Sequence, residues 1–230
     1  MTSKSATPRQ RVPKVRGKAS QASRADAIAG LRAMRADAVP NIVAFARRQG
    51  RPVVVFDLEH TGGTKENRAI TELAALVVHP DGGLSTYSTL VKPPDGTVFV
   101  PMISAKTGIW PSTVARAPTW HAVIWSFVIP HRQALWCGFN SRACDMPALV
   151  AECRRVNVHL PEPAHLDIMQ VSGGSGSLSA RVKALLPEVS TESAHVAAHD
   201  VRMTALLLNA LLPHHITDNV LGRQGLTIPR

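Results

Sequence analysis

VVVFDLEHTGG, residues 53–63, is the stretch on which the fold turns. Four apolar residues run into Asp57 and Glu59, and a glycine pair follows. Residues 52–59 read as one strand, and its continuous apolar character is that of a strand covered on both faces. Side chains at i and i+2 of a strand point the same way, so Asp57 and Glu59 share a face. A carboxylate at the end of a buried strand is costly unless its charge is compensated. Two such groups side by side repel, and a cation between them relieves both.

Working outward, ITELAALVVH (70–79) and STYSTLVKP (85–93) read as further strands, joined by the turn Pro80-Asp81-Gly82-Gly83. The first three strands therefore form an antiparallel meander. A helical stretch over 112–128, an apolar strand ALWCGF (134–139) and a helix over 146–157 come next. A short strand near 165–168 precedes helices at 178–186 and 198–212, and the Gly-Ser run at 172–177 reads as a loop. A meander followed by alternating helices and strands predicts an α/β fold, a mixed sheet flanked by helices. Trp136 and Phe139, inside the apolar strand, are assigned to the core.

Ahead of the sheet, Ile28, Leu31 and Met34 fall at helical spacing, Pro40 interrupts, and Ile42 and Phe45 resume until Gly50. This predicts a helical hairpin packed on the main domain. Residues 1–25 carry seven basic residues and no acid, which reads as a disordered basic arm. An arm that binds nucleic-acid phosphates, an organelle-targeting peptide and a solvated tail all fit that composition. The expected organisation is an arm (1–25), a helical extension (26–50), a main domain (51–213) and a C-terminal tail (214–230).

Lys and Arg number 26 against 16 Asp and Glu, a formal net charge of +10. Such a chain favours polyanions. Aromatic residues make up only 4%, too few for a platform that stacks several bases. Cys137, Cys144 and Cys153 form no C-x-x-C pair, so neither a zinc ribbon nor a disulfide framework is expected. Reduced, buried thiols in a cytoplasmic protein are the plain reading. No apolar run reaches membrane-spanning length, and no membrane partner is expected.

Two further segments carry acids. In GFNSRACDMPAL (138–149), Asp145 follows a buried strand and opens a helix. In HVAAHDVRMTALLLNALL (195–212), His195 precedes Asp200 by five residues. At about 100° per residue the two cannot share a helix face, so His195 belongs on the loop leading in and Asp200 in the first turn. Met203, Leu206, Leu207, Ala210 and Leu211 mark that helix's buried face. Taken singly, Asp145 also reads as a helix N-cap and Asp200 as an acid at a helix N-terminus. Together, four converging carboxylates carry enough charge for two divalent ions. All-oxygen ligation suits Mg²⁺ or Mn²⁺. A histidine beside them can take a proton from water near neutral pH.

In these three motifs the chain resembles the DnaQ-like, DEDD-type 3′→5′ exonucleases, in the subgroup with a histidine in the third motif. FDLEHTGG is similar to their D-x-E motif, GFNSRACDMPAL to the second and HVAAHD to the third. The resemblance spans roughly 51–212. It implies a ribonuclease-H-like fold, two Mg²⁺ or Mn²⁺ ions and release of nucleoside 5′-monophosphates from single-stranded DNA or RNA 3′ ends. It also implies metal ligation by Asp57, Glu59, Asp145 and Asp200, with His195 as general base. Glu59, His60, Thr61, Asn140 and His195 become the positions expected to contact nucleotide. His60 stands where the family commonly has Thr or a small residue. His199 is expected to face neighbouring protein or solvent. Family members often dimerise. The rival expectation is a non-catalytic nucleic-acid-binding or partner-docking module on the same fold.

Overall fold

The computed structural model describes residues 21–64, 68–160, 163–192, 195–223 and 226. Residues 1–20 of the expected basic arm lie outside them. Residues 21–25, expected in that arm, instead open helix α1 (Gln21–Arg32). A 3₁₀ turn (Ala36–Ala38) leads to α2 (Pro40–Gln49), in which Pro40 occupies the first turn rather than breaking a helix. Gly50 closes α2 at φ 63°, a left-handed conformation that suits glycine.

Five strands form one sheet in the order β3-β2-β1-β4-β5. They are β1 (Val53–His60), β2 (Ile70–Val78), β3 (Leu84–Leu90), β4 (Leu135–Gly138) and β5 (His165–Asp167). β1 is central, antiparallel to β2 and parallel to β4, and β2–β3 is antiparallel, so the expected mixed sheet and meander are present. All nine residues of β2 are buried because both faces of the sheet are covered. β3 is an edge strand, and its Ser, Thr and Tyr residues are half-buried or exposed.

The helical content departs from the expectation in the middle of the chain. The predicted 112–128 helix is broken into α4 (Pro111–Val114), α5 (Trp120–Val123) and a π-helical turn over Ile124–Val128. Ahead of it lies α3 (Pro101–Thr107), a two-turn helix with Pro101 in its first turn and Gly108 closing it at φ 72°. The remaining helices are α6 (Asp145–Arg155), α7 (Ile168–Val171), α8 (Leu178–Leu185), α9 (Ala197–Leu211) and α10 (Asp218–Arg223).

Alternation along the strands sorts the core in two. Val53 and Val55 of β1, with Ala74, Leu76 and Val78 of β2, face a core shared with α1, α2, α8 and α9. Val54, Phe56 and Leu58 face the other, with Trp120, Phe127, Trp136 and α6 residues. Trp136 meets Phe56 edge-on at 5.0 Å between ring centroids, and Phe139 is half-buried against the first core. By the same alternation Asp57 and Glu59 point to the α9 face.

The α1–α2 hairpin packs as expected. Leu31, Ile42 and Phe45 are essentially buried, each contributing roughly 1.5–3 kcal/mol. That sum is large beside a typical domain stability of about 5–15 kcal/mol, so the hairpin is part of the fold. Asn41 of α2 donates two 2.9 Å hydrogen bonds to Asn209 of α9, from its backbone N–H to Oδ1 and from its side-chain amide to the carbonyl. Along α9, Met203, Leu207 and Leu211 are buried, whereas Leu206 and Ala210 are half-buried. Thr204, Ala205 and Leu208 take their place, because α9 is covered by the sheet and by α1 on adjoining sides. Residues 214–230 are no loose tail where described, since Ile216, Leu221 and Leu226 join the core. Cys137, Cys144 and Cys153 form no disulfide with one another; Cys137 and Cys153 are buried and Cys144 is half-buried. Among the described residues no helix is long and apolar enough to cross a membrane.

Candidate active site

The β1–β4 pairing ends at Val55–Cys137, so the last part of β1 runs beyond its parallel neighbour. That opens a crevice at the carboxyl end of the central strand, where open α/β sheets place their ligands. Asp57 and Glu59 stand there. A β-bulge between Glu59 and His60 then bends the chain into the turn that follows.

The turn is closed by its own side chains. The Thr61 hydroxyl accepts from Ala69 N–H at 3.1 Å, and the His60 Nδ1 accepts from Gly62 N–H at 3.1 Å. An accepting Nδ1 requires a neutral ring, and burial together with Arg68 lowers the His60 pKa. Thr61 is 1% exposed and its side chain is spent inside the protein, which removes it as a side-chain contact to nucleotide. The glycine requirement has a protein cause. Gly62 has φ 82°, and a Cβ there would lie 2.8 Å from Val100 Cβ of the α3 segment.

Asp145 does not cap its helix. It sits in the first turn of α6, behind Cys144, and its Oδ1 accepts from Leu58 N–H at 3.1 Å. A carboxylate from α6 thus docks onto β1 midway between Asp57 and Glu59. The loop that carries it is held by Asp167, 1% exposed, which accepts from the N–H groups of Asn140, Arg142 and Met169. Asn140 adopts φ 56° and its amide donates to Cys144 Sγ at 3.4 Å, so its side chain tightens this loop.

His195 stands two residues ahead of α9 at φ 72°, and Asp200 lies in the helix's first turn. Asp200 Oδ2 accepts from His195 N–H at 3.1 Å, which fixes the loop to the helix. Ligand atoms of Glu59, His195 and Asp200 all lie within 4.8 Å of one another. His199 faces the other way. It is 8% exposed and, with Arg35 and Arg202, lines a cavity of about 530 Å³ against α1.

The electrostatics bind the four acids into one unit. Burial, then the charges of Asp200, Asp145, Glu59 and Glu72, raise the Asp57 pKa well above the carboxylate range. Glu59 is raised in the same way by burial, Asp200, Glu72 and Asp145, with Lys106 opposing. Burial lifts Asp145 and Asp200 to about 7. Asp200 Oδ1 is buried with no hydrogen-bond partner among the described residues. An orphaned carboxylate oxygen beside three strained acids fits a divalent cation with oxygen ligands.

Glu72, Lys106, Asp167 and Arg24 were not singled out from the sequence. For Glu72 a signal existed, a lone acid inside the apolar run of ITELAALVV. For the others the relevant partners are too distant in the chain to leave a local pattern.

Residues 54–208 match the family model RNase_T, described as exonuclease. The chain belongs to this exonuclease family. No curated protein matched its sequence. Among solved structures the family member is similar to Escherichia coli exonuclease I bound to a dA16 oligonucleotide, at TM-score 0.64 and 14% identity over 75% of this chain and 42% of that one. A zinc-bound exonuclease I–single-stranded DNA complex from the same organism matches at TM-score 0.61 and 15% identity, over 70% and 40% of the respective chains. This exonuclease-family chain therefore spans about two fifths of those proteins. At such identity the likeness shows a shared fold, the ribonuclease-H-like one.

The raised acids carry a thermodynamic signature. The folded state holds protons on Asp145 and Asp200 up to about pH 7, whereas an unfolded chain releases them near pH 4. The folded state binds more protons in between, so stability must fall as pH rises through that window. In EDTA, Tm is expected to drop between pH 5 and pH 8, and Mn²⁺ to restore it with release of protons. Calorimetry in buffers of different ionisation enthalpy measures that release. A metal-independent Tm that is flat with pH would contradict the coupling.

Proposed function

We propose that the protein is a metal-dependent 3′→5′ exonuclease that removes nucleoside 5′-monophosphates from single-stranded nucleic acid. Asp57, Glu59, Asp145 and Asp200 would hold two divalent ions, Mg²⁺ or Mn²⁺, and His195 would be the general base. The observation that carries this reading is the convergence of Glu59, His195 and Asp200 within 4.8 Å, coupled electrically to Asp57 and Asp145. Divalent ions bound there would lower the pKa of a water and stabilise charge on the phosphate and leaving oxygen.

The chain's own residues do the rest. Burial, then Lys106, lower the His195 pKa, so its ring is neutral and able to accept a proton at neutral pH. The Asp200–His195 backbone bond sets where that ring stands. Lys106 brings positive charge to the same crevice, opposing the acids at Glu59 and Asp200. His60, Asn140 and the turn backbone would border the terminal nucleotide. The oligonucleotides in the exonuclease I complexes support single-stranded DNA as the first substrate to test. Basic residues ahead of α1 would add phosphate contacts and a salt-sensitive share of affinity.

A panel of single- and double-stranded DNA and RNA tests the proposal. With Mg²⁺ or Mn²⁺, a 5′-labelled single strand should shorten stepwise, a 3′ label should leave first, and EDTA should stop both. Tight binding with every strand left intact would replace catalysis by the binding-module reading.

A further inference from the structure

Arg24 reaches from α1 to the wall of the acid cluster. Its Nε donates to Glu72 Oε1 at 2.9 Å and its Nη2 to Glu72 Oε2 at 3.2 Å. The same Nη2 donates to the Thr107 carbonyl at 2.9 Å. Arg24 is 7% exposed and Glu72 1%. Glu72 is the antiparallel register partner of Glu59, so the two side chains lie together on the α9 face of the sheet. Its charge acts on Asp57, Glu59 and Asp200. Thr107 ends α3, directly after Lys106.

We propose that Arg24 is a positioning residue of the active site, which makes α1 part of the catalytic machinery. Arg24 lies well ahead of residue 54, where the family match begins. The inference rests on the exonuclease reading above. Arg24 does two things there. Its guanidinium fork offsets part of the charge of Glu72, which would otherwise act in full as a fifth carboxylate behind Glu59. Its bond to the Thr107 carbonyl pins the end of α3, and with it the site of Lys106. A bidentate fork with a donor to spare is what this requires, and a lysine ammonium does not reproduce that planar geometry.

The test uses the full chain in four variants: Arg24→Ala, Arg24→Lys, Glu72→Gln and the double variant Arg24→Ala/Glu72→Gln. Steady-state kinetics on a 5′-labelled single strand are paired with Mn²⁺ binding followed by electron paramagnetic resonance of the free ion, which needs no turnover. Arg24→Ala is expected to lower kcat by about 10–100-fold, the range seen when groups that orient metal ligands are lost, and to leave KM within about threefold. Mn²⁺ binding should change by about fivefold or more. Arg24→Lys should recover only part of kcat. The double variant, left with no unpaired carboxylate at position 72, should recover Mn²⁺ binding and most of kcat.

A folded Arg24→Ala protein with wild-type kcat and Mn²⁺ binding would overturn the proposal. So would a loss of kcat that merely follows the folded fraction and is not rescued by Glu72→Gln. If Arg24→Ala does not fold, the double variant and Arg24→Lys carry the comparison. Should the wild-type protein cleave nothing, the exonuclease reading fails by itself, while the Mn²⁺ measurement still decides the role of Arg24.

Discussion

Asp57→Asn is expected to cut nuclease activity by at least about 10²-fold while making the metal-free protein more stable. The two effects have one cause. Asp57 is held among Asp200, Asp145, Glu59 and Glu72, and burial adds to their repulsion. Asparagine keeps the shape and removes the charge, so the repulsion falls and Tm in EDTA should rise. The same change removes a ligand from the proposed metal site, and a ligand matters more than the roughly 10–100-fold typical of the groups behind it. Mn²⁺ should then stabilise the variant less than the wild type. Scanning calorimetry with and without Mn²⁺, beside the single-strand degradation assay, reads all three. Undiminished activity in Asp57→Asn would remove the acid cluster from the mechanism. A lower Tm in EDTA would mean that its charge is compensated within the protein.

His195→Ala should lower kcat by about 10²–10⁴-fold, the usual contribution of a general base. His199→Ala, one position from Asp200, should change kcat by less than about threefold, because its ring lies against α1 and away from the cluster. Its cost should show in Tm instead, since a ring 8% exposed leaves a void. The pH profile separates the roles further. The His195 pKa is lowered, so activity that depends on the neutral ring is present above that pKa and lost as pH falls through it. That acidic limb belongs to His195 and should be altered in His195→Ala but kept in His199→Ala. The reverse pattern of rates would transfer the base to His199.

The two histidines also show where reading a sequence stops. Helical geometry was enough to place His195 on the loop and Asp200 in the first turn of α9. It left His199 facing either protein or solvent, and only the packing of α1 across α9 settles that it is buried. Asp145 is a similar case. Its place at the start of a helix supported a cap, yet the carboxylate turns to Leu58 N–H, because β1 outruns β4 and leaves that donor unpaired by the parallel ladder. Thr61, expected to contact nucleotide, is held by Ala69 N–H, and Gly62 beside it is shaped by Val100.

By itself, then, the sequence determined the mixed sheet, its meander, the helical hairpin and the order of acids along the chain. Each is written in local periodicity or in a strand that ends in charge, and such signals need only near neighbours. What only the tertiary structure decided is which charges meet. Arg24 and Glu72 are 48 residues apart, Leu58 and Asp145 87, and Arg24 and Thr107 83. No spacing rule reaches that far. Burial and low polarity make these few contacts strong, and the fold alone supplies both.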